Sequence, residues 1–213
     1  CHARSAAAVK QAVPAGVDFI GHANVLDDEA LALLEANRAR VFVGPAVAWE
    51  ITFLEHYQSF GFATGSPEHK GYAAELEATQ ASVKRMREVG IRVLVGGDYG
   101  LNITPHGTYA KELQYFTDYF GFSPGEALQA ATKHGGEAFM PDGSLGTLEA
   151  GKIADIVIVK GNPLEQIGVL QDADAIAAVI KEGQIYTGLL DNQSPHQKNA
   201  EQLNQLLGAR PCN

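Results

Sequence analysis

Cysteine is almost absent from this chain. Of 213 residues only Cys1 and Cys212 are cysteines, one at each end, and no Cys-x-x-Cys occurs. That excludes a disulfide scaffold beyond a single bridge between the two, and it leaves the redox compartment open. Long apolar runs are missing as well. None reaches the roughly 18 residues that a membrane helix needs, so no membrane partner is expected. Lys and Arg together number 16 against 25 Asp and Glu, giving a formal net charge of -9 with no basic block. An acidic chain of this kind is a poor match for nucleic acid or an anionic lipid surface. Low-complexity segments and sequence-level repeats are also lacking. What is present is 46% hydrophobic residues, enough for a buried core in one large or two small globular domains. The chain starts on Cys1 with no visible signal peptide. That leaves localisation open, with the cytoplasm favoured over secretion.

Short apolar runs alternate with helical periodicity along the first two thirds. Residues 5–15 read as a helix stopped by Gly16, and 17–21 as a buried strand ending at His22. Asp27 and Asp28 open a helix to Arg38 with Ala30, Leu31 and Leu34 on one face. The β-branched run Val41–Val47 reads as a strand, residues 49–72 as a long loop with a helical turn, and 73–89 as a helix. Ile91–Val95 is a strand that runs into Gly96-Gly97-Asp98; a loop over 99–108 and a helix over 109–119 follow. Ser123-Pro-Gly-Glu126 is a capping box with proline at the first helical position, predicting a helix from 124 to about 139. This alternation argues for a parallel sheet of βα units. The pattern then changes to antiparallel signals, with a strand over 153–159 and a hairpin from 175–181 into 184–186. The tail beyond Leu190 is polar, with a short helix read over 199–207.

Three polar residues fall at predicted strand ends: His2, His22 and Asp98. In parallel α/β folds those ends converge on the ligand site. Imidazole and carboxylate are the ligands Zn²⁺ takes, a catalytic zinc keeps a position for water, and a nearby carboxylate can take that water's proton. Asp98 is flanked by Gly-Gly and Tyr-Gly, which lets main chain approach a ligand. His106 in the following loop is divided between a substrate contact and a solvated loop residue. Trp49 and Glu50, just past the strand 41–47, could line the pocket, or Trp49 could anchor its loop. His56, His69 and His196 read as solvated, and His134 as a partner of a helix C-terminus.

These segments resemble, in order, the C-terminal portion of the amidohydrolase superfamily, in its imidazolonepropionase-like branch, which includes metal-dependent dipeptidases. Cys-His-Ala-Arg (1–4) is similar to the fifth-strand segment with a ligand His, and Gly16-Val-Asp-Phe-Ile-Gly-His22 to the sixth. Val95-Gly-Gly-Asp98 is similar to the eighth-strand segment, whose Asp binds metal and handles the proton. His106-Gly107 with Glu112-Leu113, the helix beginning Ser123-Pro-Gly-Glu, and Gly143-Ser-Leu-Gly-Thr-Leu-Glu-Ala-Gly-Lys-Ile-Ala-Asp155 continue the series. The family usually has Thr in place of Gly97 and a small residue in place of Tyr99. Its fourth-strand Lys or Glu and its first-strand His-x-His have no counterpart, and no His-x-His occurs in the chain.

The resemblance implies an α/β fold comprising the C-terminal half of a (β/α)8 barrel over residues 1–140, strands of a small β-sandwich over 141–190 and a polar tail over 191–213. It implies a divalent-metal hydrolase, zinc with one or two ions, cleaving C–N bonds of small amides, dipeptides or cyclic amides through metal-activated water. His2, His22 and Asp98 would bind metal, Asp98 would be catalytic, and His106, Tyr99 and Trp49 would contact a small-molecule substrate. A deaminase, an ester or lactone hydrolase, and a fragment without catalysis are the alternatives. A full barrel takes about 250 residues, so half a barrel is expected to need its missing half, or another chain, to cover its edges, and to form a homo-oligomer.

Overall fold

The computed structural model describes residues 1–188. The tail, its expected helix, His196 and Cys212 lie outside the described residues, while Cys1 is exposed with a free thiol. Four strands, β1 (His2–Ser5), β2 (Phe19–Val25), β3 (Phe42–Val43) and β4 (Arg92–Val93), form one sheet in sequence order. Every neighbouring pair is parallel. The expected parallel arrangement of the strands near 17–21, 41–47 and 91–95 is therefore present, although β3 and β4 are shorter. β3 stops at Val43 because Gly44-Pro45 follows, proline has no N–H for the ladder, and Ala46 turns to a left-handed φ of 53°.

Helices α1 (Ala6–Ala12), α2 (Asp28–Ala36) and α4 (Pro67–Glu88) connect these strands, and α5 (Ala110–Phe120) follows β4. Their starts are local chemistry. Ser5, Asp27 and Ser66 each accept a hydrogen bond from the N–H three residues on. The helices bury Val9, Val13, Leu34, Val83, Met86, Leu113 and Phe116 against Ile20, Val43 and Val93 of the sheet. On the opposite face Phe19 of β2 is 46% exposed, whereas its partner Phe42 of β3 is buried.

Two expectations of the sequence are corrected here. The segment 49–72 is not a long loop. It contains helix α3 (Ala48–His56), and α4 begins at Pro67. The helix predicted over 124–139 is two, α6 (Pro124–Ala131) and α7 (Lys133–Phe139), divided at Thr132. The Ser123–Glu126 capping box is present as expected. His134 accordingly sits in the first turn of α7 rather than at a helix C-terminus.

A three-stranded antiparallel sheet follows, β5 (Ile156–Val159), β6 (Ile176–Lys181) and β7 (Gln184–Gly188) in that order. The segment leading to it crosses the helices at contact distance. A Cβ on Gly136 of α7 would lie 2.4 Å from the Leu145 carbonyl, so only glycine fits. No described helix is long and apolar enough to cross a membrane.

Strand β2 carries one irregularity that matters for the site. Ala3 pairs with His22, but Ser5 pairs with Val25. Two steps on β1 thus face three on β2, which is a β-bulge. Buried Ala23, at φ 55°, sits in that extra step.

Candidate metal centre

The parallel pairing of β1 and β2 sets His2 opposite Gly21, one step from His22. The imidazoles meet edge to face, with ring centroids 4.7 Å apart and His2 Nδ1 3.0 Å from His22 Nε2. Asp98 arrives from the loop beyond β4 and places Oδ2 3.4 Å from His22 Nε2. The three ligand atoms lie within 4.8 Å of one another, and among the described residues they form the one such group of three His, Cys, Asp or Glu side chains. The sequence placed His2 and His22 just past strand ends. Instead, His2 opens β1 and His22 lies within β2, because the bulge lets the strand continue to Val25.

The donor set fits a divalent metal. Tetrahedral zinc–nitrogen bonds of about 2.0–2.1 Å put neighbouring ligand atoms about 3.3–3.4 Å apart, close to the 3.0 and 3.4 Å observed. Burial lowers the His22 pKa, opposed by Asp98 and reinforced by His2 and Arg4. The ring is thereby kept in the neutral form that offers a lone pair. His22 is buried, whereas the Asp98 side chain is 58% exposed.

The loop that carries Asp98 is held by main chain. Thr104 Oγ1 donates to the Asp98 carbonyl at 2.6 Å, and Gly100 N–H donates to the Thr104 carbonyl at 2.8 Å. On the other side stands Glu112 of α5, which is 1% exposed. Its carboxyl faces the N–H groups of Val47 and Ala48, at the start of α3, and of Gly97. Neither oxygen makes a well-formed hydrogen bond. Burial pushes its pKa up to about 8, against the pull of those N–H groups.

A second buried polar group lies beside the two strands. Glu50 of α3 accepts from Asn24 Nδ2 at 3.0 Å, and the Thr79 hydroxyl of α4 lies 3.4 Å away. Arg4 Nη2 is 3.4 Å from Glu50 and is also paired with Glu75. Burial pushes the Glu50 pKa to about 8, with Glu75 adding and Arg4 opposing.

The remaining candidates are placed as follows. Tyr99 lines a cavity of about 170 Å³ beside the Asp98 loop, with Thr52, Lys111 and Tyr115. His106 Nδ1 lies 2.6 Å from the Tyr109 hydroxyl, at the mouth of the same loop. Trp49 packs edge to face on Tyr72 of α4, with the Arg4 guanidinium 5.3 Å from its ring centre. None of these three belongs to the His2–His22–Asp98 cluster. His56 is exposed, and His69 is half-buried, accepting from the Gly65 N–H and packed on Tyr57. Asn24 and Thr79 escaped the sequence reading. The signal for Asn24 was its polarity inside a buried strand, since buried polar groups need partners.

Paired histidines on adjacent parallel strands and a small antiparallel sheet after the last helix define a class of protein. The chain belongs to the amidohydrolase family, whose model matches residues 1–186. Among particular relatives, it is similar to the ochratoxinase of Aspergillus niger, 27% identical over 188 residues, which are 88% of this chain and 37% of that protein. A prolidase structure from Bifidobacterium longum superposes with a TM-score of 0.77 at 27% identity, covering 98% of this chain and 50% of that one. A Xaa-Pro dipeptidase structure gives a TM-score of 0.71 at 31% identity over 88% of this chain and 44% of its own. The chain thus spans half or less of the length of these relatives. The α/β fold is that of roughly half an amidohydrolase barrel with a separate small antiparallel sheet.

Proposed function

We propose that the protein is a metal-dependent hydrolase that cleaves C–N bonds in small amides, dipeptides or cyclic amides. The observation that carries this reading is the convergence of His2 Nδ1, His22 Nε2 and Asp98 Oδ2 within 4.8 Å. Similarity to a prolidase and a Xaa-Pro dipeptidase favours an amide or dipeptide bond. His2 and His22 hold the ion, zinc in this reading, with room for one or two. When bound, a divalent metal acidifies water and polarises a carbonyl. Asp98 takes the proton of the attacking water on its carboxylate and returns it to the departing nitrogen. Tyr99, Trp49 and His106 belong to the wall that meets the substrate. The remaining barrel strands, supplied by a further part of the protein or by another chain, cover the exposed Phe19.

Zinc titration with activity measurement on the assembled enzyme tests this. His22→Ala is expected to abolish tight metal binding. Asp98→Asn keeps shape and one ligand oxygen, so turnover falls by at least about 10²-fold with a smaller loss of metal. Undiminished zinc affinity in His22→Ala would sink the reading.

A further inference from the structure

Asp98 is the one member of the cluster that does not sit on a strand, so something other than the ladder must fix its reach. The two residues before it, Gly96 and Gly97, supply little stiffness of their own. The structure shows two grips on this segment. On one side the buried Thr104 hydroxyl donates to the Asp98 carbonyl at 2.6 Å. On the other, the Glu112 carboxyl is pressed against Gly97, close enough that a Cβ on Gly97 would stand 2.9 Å from Oε2. The same carboxyl faces the first N–H groups of α3, whose N-cap Val47 offers no side-chain bond. α3 and the Asp98 loop are thereby referred to one buried group. Burying a carboxyl without a well-formed partner is costly, and packing alone would be served by an apolar side chain.

We propose that Glu112 and Thr104 are positioning residues that hold the main chain of Asp98 from two sides and set where its carboxylate meets His22. This rests on the metal-centre reading above. A purely structural Glu112 would change stability when replaced and leave metal affinity alone; a positioning residue moves metal affinity while the fold persists. Outer-shell partners of metal ligands are commonly worth about 10- to 100-fold in affinity, and that is the loss expected here.

The test is a Co²⁺ titration of the protein followed by the ion's visible absorption, with melting temperature recorded in parallel. Parent, His22→Ala, Glu112→Gln and Thr104→Val are compared. Cobalt affinity is expected to fall about 10- to 100-fold in Glu112→Gln and Thr104→Val, with an altered absorption spectrum and a cooperative melting transition showing that the fold persists. Parent-like affinity and spectrum in either folded variant overturns the proposal. Should Glu112→Gln fail to fold, Thr104→Val, which keeps the side-chain shape, decides alone. If His22→Ala binds cobalt as the parent does, the metal centre itself falls and the positioning role with it. If His22→Ala loses cobalt while both loop variants keep it, only the positioning role falls.

Discussion

Glu50 and Glu112 are buried to the same degree, and burial pushes both to about 8. Their surroundings differ. Glu50 is met by side chains: Asn24, Thr79 and Arg4, with Glu75 sharing the arginine. Glu112 is met by main chain: the N–H groups of Val47, Ala48 and Gly97. A carboxyl held by side chains is satisfied locally, because rotamers can adjust around it. One held by main chain is satisfied only if two segments of backbone stay where they are. The first region braces β1 and β2 against α3 and α4; the second ties the position of a loop to the start of a helix.

The largest effect expected to separate these carboxyls from the rest of the molecule is in pH dependence. With a native pKa of about 8 against an ordinary value of 4.5, each holds a proton in the folded state that the unfolded chain has already released. Stability should therefore fall as pH rises from about 4.5 to 8 and level off above, by about 1.4 kcal/mol per unit and per carboxyl. Urea unfolding of parent, Glu50→Gln and Glu112→Gln should show each variant losing about 3 kcal/mol less than the parent between pH 5 and 7.5. Parallel slopes in parent and variants would contradict the burial argument.

Next in size is a pair of glycine substitutions. A Cβ on Gly97 would lie 2.8 Å from the Tyr99 ring and 3.2 Å from Ala48 Cβ, besides its contact with Glu112. Gly97→Ala should cost about 2 kcal/mol, and less in a Tyr99→Ala background, where the ring no longer fills that space. On the Glu50 side, Gly71 of α4 meets nothing within 4 Å, so Gly71→Ala should stabilise by about 0.5–1 kcal/mol. Thermal or urea unfolding reads both signs.

The smallest effect is a contrast at pH 5, where both native carboxyls are protonated. Glu50→Gln puts an amide N–H₂ among the donors Asn24, Arg4 and Thr79 and should cost about 1 kcal/mol more than Glu112→Gln. Equal costs would mean that the side-chain network contributes nothing.

Much of this fold was legible because its devices are local. Asp27 and Ser123 announce helix starts through their own side chains, and the run of β-branched residues before Gly96 announces a strand; the start of α4 at Ser66 was missed, its helix being read only from residue 73. Helix α3 was not legible. Its sequence, Ala-Trp-Glu-Ile-Thr-Phe-Leu-Glu-His, is rich in aromatic and β-branched residues, begins without a capping side chain, and buries Glu50 as well as Ile51 and Phe53. Tertiary packing rather than periodicity makes it a helix. At the site, the residue types of His2, His22 and Asp98 and the spacing that puts the two histidines on adjacent strands pointed to one place, although the strand ends were misplaced. Glu112 could be quoted as part of a motif, but its surroundings depend on Val47 and Gly97, distant in sequence, and no local pattern encodes such a meeting.

The bulge at Ala23 bears on how the chain finds its pairing. In an ordinary strand a slip of one residue exchanges inner and outer faces and leaves the ladder otherwise intact. Here β1 and β2 match on both sides of His22 only if the extra step falls between His22 and Val25. A slipped pairing would move that step onto residues whose side chains do not suit it, and would separate the two imidazoles. The left-handed turn at one small buried residue thus serves as a punctuation mark, fixing the reading frame in which the histidines meet.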